Sequence, residues 1–496
     1  MTMTAERPLA LDDGAPEPGP ARAGLRFGPA VAAALGAAGG AAVFALCHRV
    51  LTDDAYITLT YARQLGLHGA WGMVDELPSN TATSPLSVLL LGALTAVTRN
   101  AVLAVGVLLV ACLAAAGWWL QRIGVRAGAG TVLLPVLGVA TLTVNPLLMS
   151  AIGLESHLAV TLLIGAVLAA AAGRPGWLGV AAGLLVLTRP DLGPAALLLV
   201  LGGARGRGRW GALAAMAGTA LPWFAFSWFA FGSAVPDTVI LKGPEAWGGW
   251  TFWNSLTLYG GIWPQVVALS LLPAAAGVVA LAAGWWRNRV AVLCAGAGVA
   301  HYATMAALSP APFFWYSTFW VSALALVGVL ATAHLIHRRG RTLAGMAPLA
   351  AAVFVLGVTA ATSLNDGIPR TVRTPISFNW GSAAQYERLA DRLPTGATVQ
   401  SPGEIGTLAY YCADRCRVVD RFADRGQLAP LLRKRLAAAG PIERLLLEWN
   451  YARFDWPARV PVSLRMGTRP VRDDPGADLS VPYSPAGRRI TVTPVG

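Results

Sequence analysis

"LTDDAYITLTYARQLG", residues 51–66, follows directly on the first long apolar run of the chain. Two adjacent carboxylates, Asp53 and Asp54, open a segment in which Ile57, Tyr61 and Leu65 recur at i, i+4 and i+8. That spacing sets one apolar stripe on a helix, with Thr58, Arg63 and Gln64 turned elsewhere, and it suits a short helix lying along a membrane interface. Thr52 or Asp53 has the chemistry of an N-cap, and Asp54 favours the positive end of a helix. A cap needs one acid, so the pair also fits a reactive site.

The rest of the chain is membrane-like. With 55% hydrophobic and 13% charged residues, it departs from soluble proteins. Runs rich in Ala, Leu, Val and Gly recur from residue 28 to 363, each near the length that crosses a hydrocarbon layer of ~30 Å. The expected fold is an α-helical polytopic membrane protein. The net charge of +13 gathers as arginines in short loops, a pattern of membrane orientation rather than of nucleic-acid binding.

"RGRGR" (205–209), "WWRNR" (285–289) and "HRRGR" (337–341) should share the cytoplasmic side. Working outward gives eleven crossings, near 28–48, 101–120, 128–149, 157–172, 177–188, 192–204, 211–231, 263–284, 290–308, 317–335 and 343–363. Segment 84–98 is short, starts at Pro85 and would flip every arginine loop, so it reads as a re-entrant or interfacial helix. Residues 1–25, rich in Pro, Gly and Ala, read as a disordered cytoplasmic tail without a cleavable signal. The helical region then covers 26–364, with a first outer loop at about 49–84, and 365–496 lies outside the plasma membrane.

Beyond Asn365 charge rises and apolar runs shorten. "ATVQSP" and "CRVVDRF" read as strands, "GEIGTLAYY" as a turn into a helix, "GQLAPLLRKRLAAAGPIERLLLEWN" as amphipathic helix, and the last stretch as short strands. A small α/β domain is expected. "GEIG" lacks the Lys-Ser/Thr and GxGxxG patterns of a nucleotide loop and reads as roofing the site or binding an acceptor. Of the five cysteines, Cys47, Cys112 and Cys294 read as packing residues. Cys412 and Cys416 are close enough to pair in an oxidising compartment, and no second CxxC or His pair supports zinc.

This topology gathers five polar segments on one face: Asp53–Asp54, "GLESH" (153–157), "TRPD" (188–191), "PDTVILKGP" (236–244) and "PAPFFWY" (310–316). Ionisable residues at span ends are costly enough to need a reason. Glu155 fits either a span-end cap or a second acid for substrate hydroxyls or a metal. Arg189, on the outer side against the positive-inside bias, needs an anion: Asp191 beside it, or a phosphate suited to a guanidinium fork. Lys242 fits a phosphate ligand or a solvated lysine. Trp315 and Tyr316 fit an aromatic belt or a sugar-lining wall, and His301 reads as a core hydrogen bonder.

The run "TDDAYITLTYARQLGLHGAWGMVDELPSNTATSPLSVLLLGAL" resembles the first extracytoplasmic loop of GT-C superfamily membrane glycosyltransferases. The nearest group looks like the bacterial enzymes that use polyprenyl-phosphate sugars, including actinobacterial arabinofuranosyltransferases; aminoarabinose transferases and protein O-mannosyltransferases look more distant. "GLESHLAVTLL", "LTRPDLGPAALL", "VPDTVILKG" and "GEIGTLAYY…VVDRF" follow in the family's order, with Asp191 where a Glu is common and Asp237 where an Asn is common.

The resemblance implies an inverting transfer of one sugar, arabinofuranose, mannose or similar, from a polyprenyl-phosphate lipid to a glycan, lipid, protein or metabolite acceptor. Asp53, with Asp54 close behind, is the expected base. Glu155, Arg189, Lys242, Tyr61 and Tyr316 are the expected substrate contacts. No organic cofactor is expected; a divalent cation (Mg, Mn or Ca) would sit on Asp54 and Glu155. The rival reading, a transporter or flippase of lipid-linked glycans, calls for internal repeats and midplane charges that the sequence lacks.

Overall fold

The computed structural model describes residues 27–74, 77–242, 249–339, 342–366, 373–376, 379–401, 403–470 and 488–495. The tail expected at 1–25 lies outside them. In chain order the helices begin α1 (Pro29–Cys47), α2 (Asp53–His68), α3 (Pro85–Thr98), α4 (Ala101–Arg126), α5 (Leu133–Val144), α6 (Pro146–Ser150), α7 (Ser156–Ala171) and α8 (Pro175–Thr188). They continue with α9 (Gly193–Gly203), α10 (Gly208–Phe231), α11 (Thr238–Leu241), α12 (Phe252–Ile262), α13 (Pro264–Ala282), α14 (Arg289–Leu308), α15 (Thr318–Arg339) and α16 (Leu343–Asp366).

Each of the eleven expected crossings falls on a helix, but among the described residues seven helices are long and apolar enough to span: α1, α4, α10, α13, α14, α15 and α16. The chain is a multi-pass membrane protein. The helices α5, α7, α8 and α9 have 12, 16, 14 and 11 residues, fewer than the ~20 a full crossing needs. Prolines and polar loops cut them short. After α5, Asn145 caps α6 by accepting from the Leu147 amide at 3.0 Å, and its side-chain amide donates to the Ser270 carbonyl at 3.0 Å. The "TRPD" loop divides α8 from α9 in the same way. The helix α3, with 14 residues, reaches ~21 Å, short of a ~30 Å core, as its reading as a non-crossing segment requires.

The "RGRGR" and "WWRNR" loops meet away from "GLES" and "TRPD". Arg174 opens α8 while Arg189 closes it, and the Arg289 guanidinium donates to the carbonyls of Gly202 and Gly203 at the far end of α9.

The C-terminal part holds α17 (Ala383–Arg392), β1 (Thr398–Gln400), α18 (Gly406–Cys412), β2 (Arg417–Val418), α19 (Leu428–Ala438), α20 (Pro441–Asn450), β3 (Leu464–Pro470) and β4 (Arg488–Pro494). The sheet order is β2-β1-β3-β4; β1 runs parallel to β2 and β3, and β4 is antiparallel to β3. The amphipathic run after Gln427 divides into α19 and α20 at Gly440–Pro441.

This layer shares its core with the first loop and α11: Ile57, Tyr61, Met73, Val74 and Leu241 pack with Tyr386, Leu408, Val418 and Ile490. The opposite side of α2 (Ala55, Tyr56, Leu59 and Ala62) packs into the membrane bundle. The stripe seen in the sequence therefore faces protein rather than lipid. Its period signals a buried face, and the C-terminal layer is what buries it.

Small residues set the closest helix contact. Gly36 on α1 lies against the Leu113 backbone of α4, and Gly117 on α4 lies against the Ala32 backbone of α1, so a side chain at either meets main chain that cannot yield. Gly117→Val should cost ~1–3 kcal/mol, the range for overpacking, read as a lower unfolding midpoint in detergent. Gly211→Ala, which meets nothing within 4 Å, should leave the midpoint unchanged.

Candidate active site

The first acid of the pair is fully engaged. Asp53 opens α2 and is 7% exposed. Its Oδ2 accepts from the amides of Ile405 (2.9 Å) and Gly406 (3.0 Å), and its Oδ1 accepts from the Thr407 amide (2.8 Å) and hydroxyl (2.7 Å). The amide of Asp53 donates to Asn379 Oδ1 at 3.2 Å, and Asn379 Nδ2 donates to the Leu51 carbonyl at 2.8 Å. The "GEIGT" segment is thus the cradle of a carboxylate that belongs to the chain itself. Gly406 is required because a Cβ there would strike the Asp53 carbonyl and the Ile57 amide. Glu404 anchors the cradle, accepting from the Trp380 amide and the Tyr386 hydroxyl, each at 2.6 Å. Burial pushes the Asp53 carboxyl above the ordinary range, with the Thr407 and Gly406 donors pulling against it.

The second acid is open. The Asp54 side chain is 25% exposed and its Oδ2 accepts from Lys242 Nζ at 2.9 Å. Lys242 also lies 5.4 Å from the Phe313 ring centre, 5.9 Å from Trp315 and 5.6 Å from Phe422. Burial lowers the Lys242 pKa, but the Asp54 carboxylate outweighs it and holds the ammonium above its usual value. An acid, a cation and three aromatic faces meet here, drawn from the first loop, the "PDT" loop, the "PAPFFWY" loop and the C-terminal layer.

The aromatic loop leads to a second charged cluster. Tyr316 packs its ring 4.9 Å from the Arg189 guanidinium. Arg189 Nη1 bonds Glu155 Oε1 at 2.7 Å, and its Nε and Nη2 both reach Asp191 Oδ1 at 3.0 Å. His301 Nε2 lies 3.1 Å from Asp191 Oδ2. Gly153, at φ +91°, brings the "GLES" loop against Ala55 in the first turn of α2, where any Cβ would crowd it. Arg189 thus has two carboxylates already, and among the candidate phosphate ligands Lys242 has the more exchangeable partner.

Tyr61 does not reach either cluster. Fully buried, it bonds Ser79 and Thr81 and shapes the "SNTATS" turn. In that turn Asn80 accepts from the Asp237 amide at 2.7 Å and donates to Ser233 at 2.9 Å, while Asp237 faces Arg425 at 3.4 Å. These contacts hold the segment that carries Lys242. Asp54 and Glu155, the expected cation ligands, are each paired to a basic side chain instead, and no group of three or more His, Cys, Asp or Glu suited to a metal occurs among the described residues. Cys412 and Cys416 are disulfide-bonded, with Cα atoms 5.0 Å apart, at the end of α18. Asn379, Thr407 and His301 contribute to the site without a sequence pattern that marks them.

Two expected outcomes follow from the buried acids. Asp53→Asn replaces an acceptor of four donors by a group that must turn an NH2 toward amides, so it should lower the unfolding midpoint clearly, by ~1–3 kcal/mol. A midpoint equal to wild type would contradict the cradle. The second outcome concerns pH. Burial raises Asp420 to about 7, against the Phe422 and Ala423 amides, and raises Asp237 to about 6, against Arg425. Unfolded aspartates ionise at ~3.9. The unfolded chain therefore loses protons first as pH rises, and stability falls between pH ~4 and ~7 and then levels. The melting temperature should rise as pH falls from about 7 to about 5, and Asp420→Asn should flatten that slope.

The sequence matches no protein-family model and no curated protein. The fold does have solved relatives. The structure of ArnT from Cupriavidus metallidurans bound to undecaprenyl phosphate aligns with a TM-score of 0.51 at 15% identity, over 93% of this chain and 97% of that one. The archaeal oligosaccharyltransferase AglB from Archaeoglobus fulgidus, in complex with an inhibitory peptide and a dolichol-phosphate, aligns at 0.51 and 11% identity, over 88% of this chain and 69% of that one. The arabinofuranosyltransferase AftD from Mycobacteria aligns at 0.47 and 15% identity, over 88% of this chain and 35% of that one. With that architecture over nearly its whole length, the chain has the fold of the GT-C glycosyltransferases.

Proposed function

We propose that this protein is an inverting glycosyltransferase that moves one sugar from a polyprenyl-phosphate lipid to an acceptor hydroxyl at the outer face of the plasma membrane. The observation that carries the reading is the Asp54–Lys242 pair, 2.9 Å apart and partly open, beside Asp53, whose lone pairs are already taken. The bound lipid phosphates of the two fold relatives support a lipid-phosphate donor.

Asp54 is the base. In the free site Lys242 is its counter-ion. When a donor enters, its phosphate becomes a second anion for Lys242, whose three N–H donors can turn toward it, and Asp54 is left to accept from the acceptor hydroxyl. The acceptor O–H gives its proton to Asp54, and the acceptor oxygen bonds the anomeric carbon on the face opposite the phosphate. The bond from that carbon to phosphate oxygen breaks with its electron pair on the oxygen, where Lys242 stabilises the charge. Attack from the opposite face inverts the centre. The Tyr316 ring rests on the Arg189 guanidinium, which Glu155 and Asp191 hold in place, and the rings of Phe313, Trp315 and Phe422 exclude water. No step requires a metal ion on Asp54 and Glu155.

The test compares the two acids. With a panel of polyprenyl-phosphate sugars, Asp54→Asn should fold and melt as wild type yet lose ~10²–10⁴ in transfer rate, the usual worth of a general base. Lys242→Ala should raise the donor KM. Wild-type transfer by Asp54→Asn across the panel would overturn the assignment.

A further inference from the structure

The helix α20 leaves an apolar face uncovered. Ile442, Leu445, Leu446 and Trp449 are 76%, 66%, 60% and 56% exposed, and they fall at i, i+3, i+4 and i+7 on one stripe. Leu447 and Asn450 turn the other way; Leu447 enters the core of the C-terminal layer, and Asn450 Oδ1 accepts from the Val235 amide at 2.8 Å. The stripe is therefore a second face of a helix already anchored in protein. Four adjacent large apolar side chains in water are unfavourable at ~25 cal/mol for each Å² left wet, and such a patch marks a surface that something covers.

The neighbouring element identifies the cover. Trp449 stacks on Trp228 of α10 with ring centres 5.6 Å apart and 13° between planes, and Trp228 Nε1 donates to the Trp449 carbonyl at 3.2 Å. The helix α10 is one of the seven spans, and its exposed Leu221, Phe226 and Phe229 are lipid-facing positions. Trp228 lies in its last turn, at the edge of the hydrocarbon layer. Gly232, at φ +71°, ends α10 and leaves room for the Arg453–Phe454 backbone, while the Arg453 guanidinium lies 5.6 Å from the Trp228 ring centre and 5.1 Å from Phe229. The apolar stripe of α20 thus runs on from the lipid-facing surface of a span, with tryptophans and an arginine where a bilayer boundary places them.

We propose that α20 lies in the bilayer interface at the end of α10, with Ile442, Leu445, Leu446 and Trp449 among the acyl chains of that leaflet. The C-terminal layer is then a membrane-embedded roof, held down by an amphipathic helix as well as by the chain that links it to α16. This inference rests on the chain spanning a membrane and is independent of the catalytic reading.

Nitroxide labels on the full-length protein in phospholipid nanodiscs test it. A label at Leu446→Cys should collide more often with dissolved oxygen, which concentrates in lipid, than with a water-soluble nickel chelate. A label at Glu448→Cys, off the stripe, should show the reverse. Where Leu446→Cys fails to fold, Ile442→Cys, the most exposed of the four, gives the same reading. Preference for the nickel chelate at both positions would overturn the proposal. So would loss of access to both reagents at the stripe, the signature of a covering protein or second copy.

Discussion

A buried carboxylate must be given hydrogen bonds or lose its charge, and Asp53 receives four, from three successive amides and a hydroxyl. That demand ties the first turn of α2 to the first turn of α18, and so the membrane bundle to the layer above it. Close approach is part of the same constraint, since Gly406 sits where no side chain fits. Around this joint the two hydrophobic cores meet on opposite faces of α2. Asp54, one residue on, leaves the joint on the open side and meets Lys242. Neighbouring residues on a helix point about 100° apart, so fixing one acid inward by structure aims the other toward Lys242.

The two cations are partnered differently. Arg189 faces Glu155 and Asp191, while Lys242 faces Asp54 alone among the described carboxylates. The first arrangement is a closed network in which removing Arg189 strands two buried carboxylates. The second is an ion pair with an exchangeable partner.

Sequence carried the fold further than the site. Apolar runs report helices directly, and the eleven positions were legible because each is bounded by arginines, prolines or glycines. Their lengths as crossings were less so, since Asn145 and Pro190 divide continuous apolar stretches without changing composition much. The stripe of Ile57, Tyr61 and Leu65 announced a buried face correctly but could not say whether lipid or protein covers it. The partners of Asp53 were hidden for a deeper reason: main-chain amides have no residue signature, and "GEIGT" is distinctive only in its two glycines. His301 was invisible as a site residue because its partner Asp191 stands 110 positions away.

The separation between Asp53 and its cradle has a consequence for biosynthesis. The amide of Thr407 lies 354 residues downstream of the carboxylate it serves, with α3 to α16 made in between. During synthesis and insertion the acidic loop waits at the membrane surface without its cap, and the neighbouring acid has no fixed direction. Long-range contacts of this kind form late and cooperatively. A chain interrupted between α16 and α18 would have every one of the seven spans and the Asp53–Asp54 pair, yet no cradle for Asp53. Arrival of the C-terminal layer is then the event that fixes Asp53 and, with it, the direction of Asp54.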